Sequence, residues 1–182
     1  MGQSLVEKAL VFALLWHNGQ KRKVQDIPFI VHPVMCMQLL AQHGYDEITL
    51  ASALVHDVLE DTPCTEEDLK SELGDEVALI VSSVTEEKTL PWGERKEAYA
   101  LSVAGGDEKV CAVSLADKLH NVRSILAEEE RLGDAVWNFF PSGAEASLRF
   151  FERMLAVYKE FPENSLQEEY AQAVMLLRKT LR

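Results

Sequence analysis

The chain has 182 residues, 47% of them hydrophobic and 26% charged, a balance that supports one domain with a substantial core. Its 18 basic and 30 acidic residues give a net charge of −12, so the average field repels nucleic-acid backbones and anionic membranes, and an anionic ligand has to be met by a local basic cluster. The longest apolar run, Ala9 to Trp16, falls far short of the roughly 20 residues that a membrane helix needs. His17-Asn18-Gly19-Gln20 follows that run in place of a signal-peptidase pattern, and Val6 stands where a myristoylation signal needs Ser or Thr. Cys36, Cys64 and Cys111 are odd in number and far apart, which points away from a disulfide framework and towards a reducing, cytoplasmic compartment. A soluble protein without nucleic-acid or membrane partners is expected.

Helical periodicity recurs along the chain, punctuated by caps rather than hairpin turns, and predicts an all-α fold in a single domain over 1–182. Leu5, Ala9, Phe12, Ala13 and Trp16 form one stripe of a first helix that ends at His17-Asn18-Gly19. After the basic loop Lys21-Arg22-Lys23, Pro33 suits the first turn of a second helix, with His32 at or next to its N-cap and Gly44 at its end. A third helix is expected from about Asp46 to Asp61, stopped by Pro63. A capping-box pattern at Thr65 opens a short fourth, and Gly74 separates a fifth reaching about Val84. A further helix spans Gly93 to Ala104. Asp107 then caps a long one to about Glu130, whose first turns, Val110 to Ala116, are apolar nearly all round and mark a central core helix. Ser142 with Glu145, and Asn164, signal the last two, near Ser142–Phe161 and Ser165–Leu181.

The strongest chemical signal is Leu54-Val55-His56-Asp57-Val58-Leu59-Glu60-Asp61-Thr62, four ionisable groups in an otherwise apolar helix. Burying them without partners costs several kcal/mol. On a continuous helix Asp57 lies one turn from Asp61, a like-charge pair that needs compensation. A divalent cation at His56 and Asp57 supplies it if other elements complete the shell, and His32 and Asp117 are the candidates. A set of two imidazoles and two carboxylates suits Mn, Fe or Zn better than Mg. His17, His43 and His120 lack such company and are read as structural or peripheral.

These segments carry a family resemblance. Gly19-Gln20-Lys21-Arg22-Lys23, Pro28-Phe29-Ile30-Val31-His32-Pro33, Ala53 to Thr62 and Leu115-Ala116-Asp117-Lys118-Leu119-His120-Asn121 resemble, in order and spacing, the HD-domain hydrolases of the RelA/SpoT family. Val84 to Lys88 and Glu94-Arg95-Lys96 extend the similarity to roughly residues 9–160. The resemblance implies an all-α HD-domain metal-dependent phosphohydrolase, of the stand-alone small alarmone hydrolase type, that removes the 3′-pyrophosphate of (p)ppGpp with a manganese ion. It implies His32, His56, Asp57 and Asp117 as metal ligands. Glu60 and Asp61 become the acidic pair that orients or deprotonates water, either one being suited to the proton.

Arg22, Lys23 and Asn121 are implied as substrate contacts: Arg for stacking, Lys as a point charge for phosphate, and Asn121 one turn beyond Asp117 near the sugar. Lys88, Arg95 and Lys96 are candidates for the outgoing pyrophosphate. The sequence departs from the family near Trp137, where Asn138, Ala144, Phe150 and Phe151 stand in place of basic residues and tyrosines. That departure leaves open another nucleotide, NADPH included; the alternative from another class is a catalytically idle module that binds nucleotide or a protein partner.

Overall fold

In the computed structural model, residues 2–181 are described. Ser4 begins the fold as an N-cap: its side chain accepts the N–H of Glu7, and α1 (Leu5–Trp16) runs to His17. The following loop is tied across itself by an isolated β-bridge between Lys21 and Pro28. Arg22 N–H donates to Ile27 O at 2.9 Å and Phe29 N–H to Gln20 O at 2.9 Å, so the basic stretch is held in a fixed shape. Asp26 turns it with φ 52°, a left-handed conformation that Asp tolerates better than most side chains.

Helix α2 (Val31–Gln42) starts two residues earlier than its proline suggests. Ile30 is the N-cap and Pro33 lies within the first turn, where backbone N–H groups have no helical acceptor. His32 is therefore the second helical residue, at the helix mouth. Asp46 caps α3 (Glu47–Val55) by accepting from Thr49 N–H. The expected helix from Asp46 to Asp61 is interrupted at His56-Asp57 and resumes as the short α4 (Val58–Asp61). Apolar periodicity continues through this break, so the sequence carries no sign of it. The capping box at Thr65 and Asp68 opens α5 (Glu66–Leu73), and Gly74 at φ 91° separates it from α6 (Asp75–Ser83).

Helix α7 (Trp92–Ala104) is followed by α8 (Glu108–Leu132), where Asp107 accepts from the N–H groups of Lys109 and Val110. The apolar first half of α8 is buried on every side, as its composition predicts, and packs on α2, α3 and α10. A 3-10 segment, Gly133–Phe139, precedes α9 (Gly143–Tyr158) and was not signalled by periodicity. Ser142 occupies the N-cap of α9 without a capping hydrogen bond. Asn164 does cap α10 (Ser165–Thr180), accepting from Gln167 N–H.

Two apolar clusters result. One joins α1, α3, α5 and α6 through residues such as Ala13, Leu54, Leu69 and Val81. The other surrounds α8 with α2, α7, α9 and α10 through Leu40, Leu115, Met154 and Leu177. Met37 of α2 and Ile48 of α3 pack against both, so these two helices join the clusters. Between Tyr99 and Tyr158 the core carries a hydroxyl relay: Tyr99 Oη donates to Ser114 Oγ at 2.8 Å, which lies 2.8 Å from Tyr158 Oη. No described helix is long and apolar enough to cross a membrane.

Candidate active site

Three elements bring the four candidate ligands together. His32 comes from the first turn of α2, His56 and Asp57 from the break between α3 and α4, and Asp117 from the buried part of α8. His32 Nε2 lies 3.2 Å from Asp117 Oδ1 and 3.6 Å from Asp57 Oδ2, and His56 Nε2 lies 3.1 Å from Asp57 Oδ2 and 3.8 Å from Asp117 Oδ1. Donor atoms about 2.1 Å from a common tetrahedral ion stand about 3.4 Å apart, so this spacing fits a single cation.

The break in the helix supports the same reading. It lets His56 Nδ1–H donate to Ala53 O at 2.7 Å, which leaves the Nε2 lone pair to face the other three groups. Asp57 is close but off the ring nitrogen's axis: His56 Nε2 is buried with no hydrogen-bond partner. An unpartnered, buried imidazole nitrogen among two carboxylates and a second imidazole is what a metal site requires.

The electrostatics agree. Burial alone would lower the His56 pKa, but Asp57 and then Asp117 outweigh it and push it up to about 9. Burial would raise Asp117, yet Lys118 and the two histidines hold it well below the usual carboxylate range. The cluster demands positive charge, which a proton supplies in the protein alone. Cys36 also lies near, its Sγ 4.0 Å from His32 Nε2, and its donor atom groups with those of His32 and His56 within 4.8 Å. Burial, with Asp117 and Asp57 adding to it, raises that thiol well above its ordinary pKa. In the protein alone it is therefore protonated, with its Sγ also 3.7 Å from His32 Nδ1.

Both oxygens of Asp117 accept further hydrogen bonds. Asp117 Oδ2 accepts from Lys118 Nζ at 2.6 Å, and Oδ1 accepts from Asn121 Nδ2 at 2.5 Å. Asn121 Oδ1 in turn accepts from Arg22 Nη2 at 3.1 Å. The sequence-derived contacts Arg22 and Asn121 are thus joined to Asp117 in one chain, and Lys23 lines the same cleft. Glu60 and Asp61 differ in a way the sequence does not show. Asp61 is exposed and paired with Lys88, whereas Glu60 accepts from Glu86 N–H at 3.2 Å. Burial, then the charges of Asp57 and Glu86, raise the Glu60 pKa. Asp57 and Asp61 do not oppose each other: one faces the histidines and the other Lys88.

The site opens into a cleft of about 690 Å3. Its lining includes the cations Arg95, Lys96 and Lys118 and the apolar side chains Val136, Phe139, Phe140 and Phe150. Phe150, read from sequence as a lost polar contact, has a role in the wall: Lys96 Nζ lies 4.6 Å and Lys118 Nζ 5.7 Å from its ring centroid. Asn138 is exposed. His120, read as peripheral, bonds His32 directly, with 2.7 Å between the Nδ1 atoms. Only its place one turn beyond Asp117 on α8 hinted at this. His17 and His43 stay outside the cleft, His17 on Gln20 and His43 on Leu39 O.

The HD domain family matches residues 9–138. The GTP pyrophosphokinase of Streptomyces coelicolor is 40% identical over 124 residues, 66% of this chain and 14% of that protein. The GTP pyrophosphokinase rsh of Brucella suis is 34% identical over 140 residues, 72% of this chain and 18% of that protein. The chain thus spans less than a fifth of the length of these curated relatives. Among solved structures, a protein described as a metazoan ortholog of SpoT that hydrolyzes ppGpp superposes with a TM-score of 0.80 at 24% identity, covering 97% of both chains. A Listeria monocytogenes protein gives 0.73 at 31% identity over 82% of this chain and 97% of its own. With the all-α architecture and the His-Asp break at its centre, these matches place the chain in the HD domain family, as an HD-domain protein of the RelA/SpoT type.

Proposed function

We propose that the protein is a metal-dependent hydrolase that removes the 3′-pyrophosphate of guanosine alarmones, releasing pyrophosphate and GDP or GTP. The observation that carries this reading is the convergence of His32 Nε2, His56 Nε2, Asp57 Oδ2 and Asp117 Oδ1 at the floor of a cleft with cations on its wall. The hydrolytic activity named for the metazoan structural neighbour supports it. The pyrophosphokinase names of the curated relatives belong to proteins of which this chain matches less than a fifth. A guanosine nucleotide substrate suits a cytoplasmic protein.

His32, His56, Asp57 and Asp117 hold the cation, with manganese favoured and iron or zinc compatible with the donors. Such a cation supplies Lewis acidity towards phosphoryl oxygens and makes nearby water more acidic. Glu60 takes the proton of the attacking water, because it is the half-buried carboxylate with a raised pKa, while Asp61 is exposed and paired with Lys88. The water oxygen joins the departing phosphorus, the bond from that phosphorus to the 3′ oxygen breaks, and the proton from Glu60 is returned to the 3′ oxygen. Arg22, linked through Asn121 to Asp117, is assigned with Asn121 to the nucleoside, and Lys23 of the same cleft to its phosphates.

A second substrate has an observation in its favour. The cleft lining offers Phe139 and Phe140 for stacking, a mode that accepts different bases, so NADPH fits the same scheme with loss of its 2′-phosphate. Chelator-stripped protein incubated with ppGpp, NADPH or GTP, with and without Mn²⁺, separates the cases by chromatography of products. Metal-dependent pyrophosphate release from ppGpp supports the first reading; phosphate release from NADPH in its place transfers it to the second; no turnover of any of them leaves a nucleotide-binding module.

A further inference from the structure

One buried carboxylate of the cleft wall has no ligand-facing role in the scheme above. Glu86, only 7% exposed, lies in the loop between α6 and α7 and faces two cations near the start of α7. Lys96 Nζ pairs with its Oε1, and Arg95 Nε lies 2.7 Å from its Oε2. All three residues line the cleft.

The contact with Arg95 is incomplete. Arg95 Nε and Glu86 Oε2 are both buried and neither has a hydrogen-bond partner, so the 2.7 Å approach is one of charge without a directed bond. A guanidinium committed to a carboxylate normally makes parallel, directed hydrogen bonds. Here a strong donor is left unused in a buried wall, a costly arrangement that an incoming oxyanion relieves.

The surrounding charges point the same way. Lys118 and Lys96 both approach the Phe150 ring, and burial, followed by the charge of Lys118, lowers the Lys96 pKa. On the opposite side, Glu60 Oε2 accepts the backbone N–H of Glu86. One monovalent carboxylate therefore serves two cations, pressed by a third ammonium and by a second carboxylate. In a protein of net charge −12, this is the place where a multivalent anion finds cations whose internal partner is easily replaced.

We propose that Arg95 and Lys96 form a subsite for a pyrophosphate group and that Glu86 is its resident counter-anion, competing with the ligand for the two cations and so limiting how tightly the group is retained. The source of that group, a cleaved alarmone, rests on the function proposed above; the subsite itself does not. With Glu86 in place, the cations are ordered before the ligand arrives, and the carboxylate is ready to reclaim them when it leaves. Product release is thereby built into the wall that binds it.

Calorimetric titration of inorganic pyrophosphate into the chelator-treated full chain tests this without turnover. Glu86→Gln is expected to bind pyrophosphate at least about fivefold more tightly than wild type, since it removes a like charge beside the ligand. Glu87→Gln removes the same charge from the adjacent exposed residue and is expected to leave the affinity within about twofold. Lys96→Met and Arg95→Gln should each weaken binding at least about fivefold. Equal affinity in Glu86→Gln and wild type, or equal tightening in Glu87→Gln, overturns the counter-anion role. Unchanged binding in both Lys96→Met and Arg95→Gln overturns the subsite, and these two variants decide the question even if Glu86→Gln does not fold. Because no arm uses ppGpp, failure to hydrolyse it would end the alarmone reading and leave these outcomes intact.

Discussion

His32 of α2 and His120 of α8 are joined ring to ring, Nδ1 to Nδ1 at 2.7 Å. One nitrogen must donate and the other accept. Burial, with the charges of His32 and Arg22 adding to it, holds the His120 pKa down at about 3, so its ring is neutral. If His32 Nδ1–H donates, its Nε2 keeps a lone pair towards Asp57 and Asp117, the orientation a metal ligand needs. The expectation is that His120→Ala weakens manganese binding about 10- to 100-fold, the usual cost of losing a partner that orients a ligand. Competition with a metal indicator measures this directly. Affinity within twofold of wild type would remove His120 from the site.

Glu60 gives a prediction in pH. Its pKa lies above the ordinary glutamate value of 4.5 because of burial and then the charges of Asp57 and Glu86. As a proton acceptor it works only when ionised, so kcat should fall as pH drops through an apparent pKa above 4.5. Glu60→Gln should lower kcat at least about 100-fold and abolish that acid limb, while Asp61→Asn, whose side chain is held by Lys88, keeps the limb. An unchanged limb in Glu60→Gln would assign the proton elsewhere.

Lys118 is a buried cation held by Asp117 and stacked on Tyr99, its Nζ 4.2 Å from the ring centroid. Removing one partner of a buried ion pair leaves the other charge uncompensated, and Lys118→Ala should cost roughly 3 kcal/mol. Urea denaturation of the chelated protein reads the loss, and added Mn²⁺ should recover part of it by stabilising the folded state.

The hydroxyl relay of the core has a simpler test. Ser114→Ala strands Tyr99 Oη and Tyr158 Oη, both buried. Stability should fall by about 1–3 kcal/mol with little change in metal affinity, since the relay is not among the metal-facing groups.

What the sequence made legible was local. Thr65, Asp107 and Asn164 cap helices because capping needs only a side chain and N–H groups within three residues. The all-round apolar start of α8 marked the core helix for a similar reason. The break at His56-Asp57 was hidden because its cause is tertiary: both residues turn to meet groups from α2 and α8, against a periodicity that favours continuing the helix. The bond from His120 to His32 spans 88 residues, and no spacing rule reports such a pair. Glu60 and Asp61 were equivalent in sequence, and became distinct through burial of Glu60 against the Glu86 N–H and exposure of Asp61 beside Lys88, both set by the loop between α6 and α7. Four candidate ligands could be named in advance, then, but the partners that orient them could not.

The proposed catalytic cation at His32, His56, Asp57 and Asp117 is tested most directly by reading metal content and turnover on the same samples. Electron paramagnetic resonance of free Mn²⁺ gives the bound stoichiometry, and pyrophosphate release from ppGpp gives activity, for wild type and for His56→Ala/Asp57→Ala. The predicted result is about one ion per chain with metal-dependent turnover in wild type, and loss of both in a folded double variant. Undiminished hydrolysis by the double variant, or by wild type freed of metal, would contradict it.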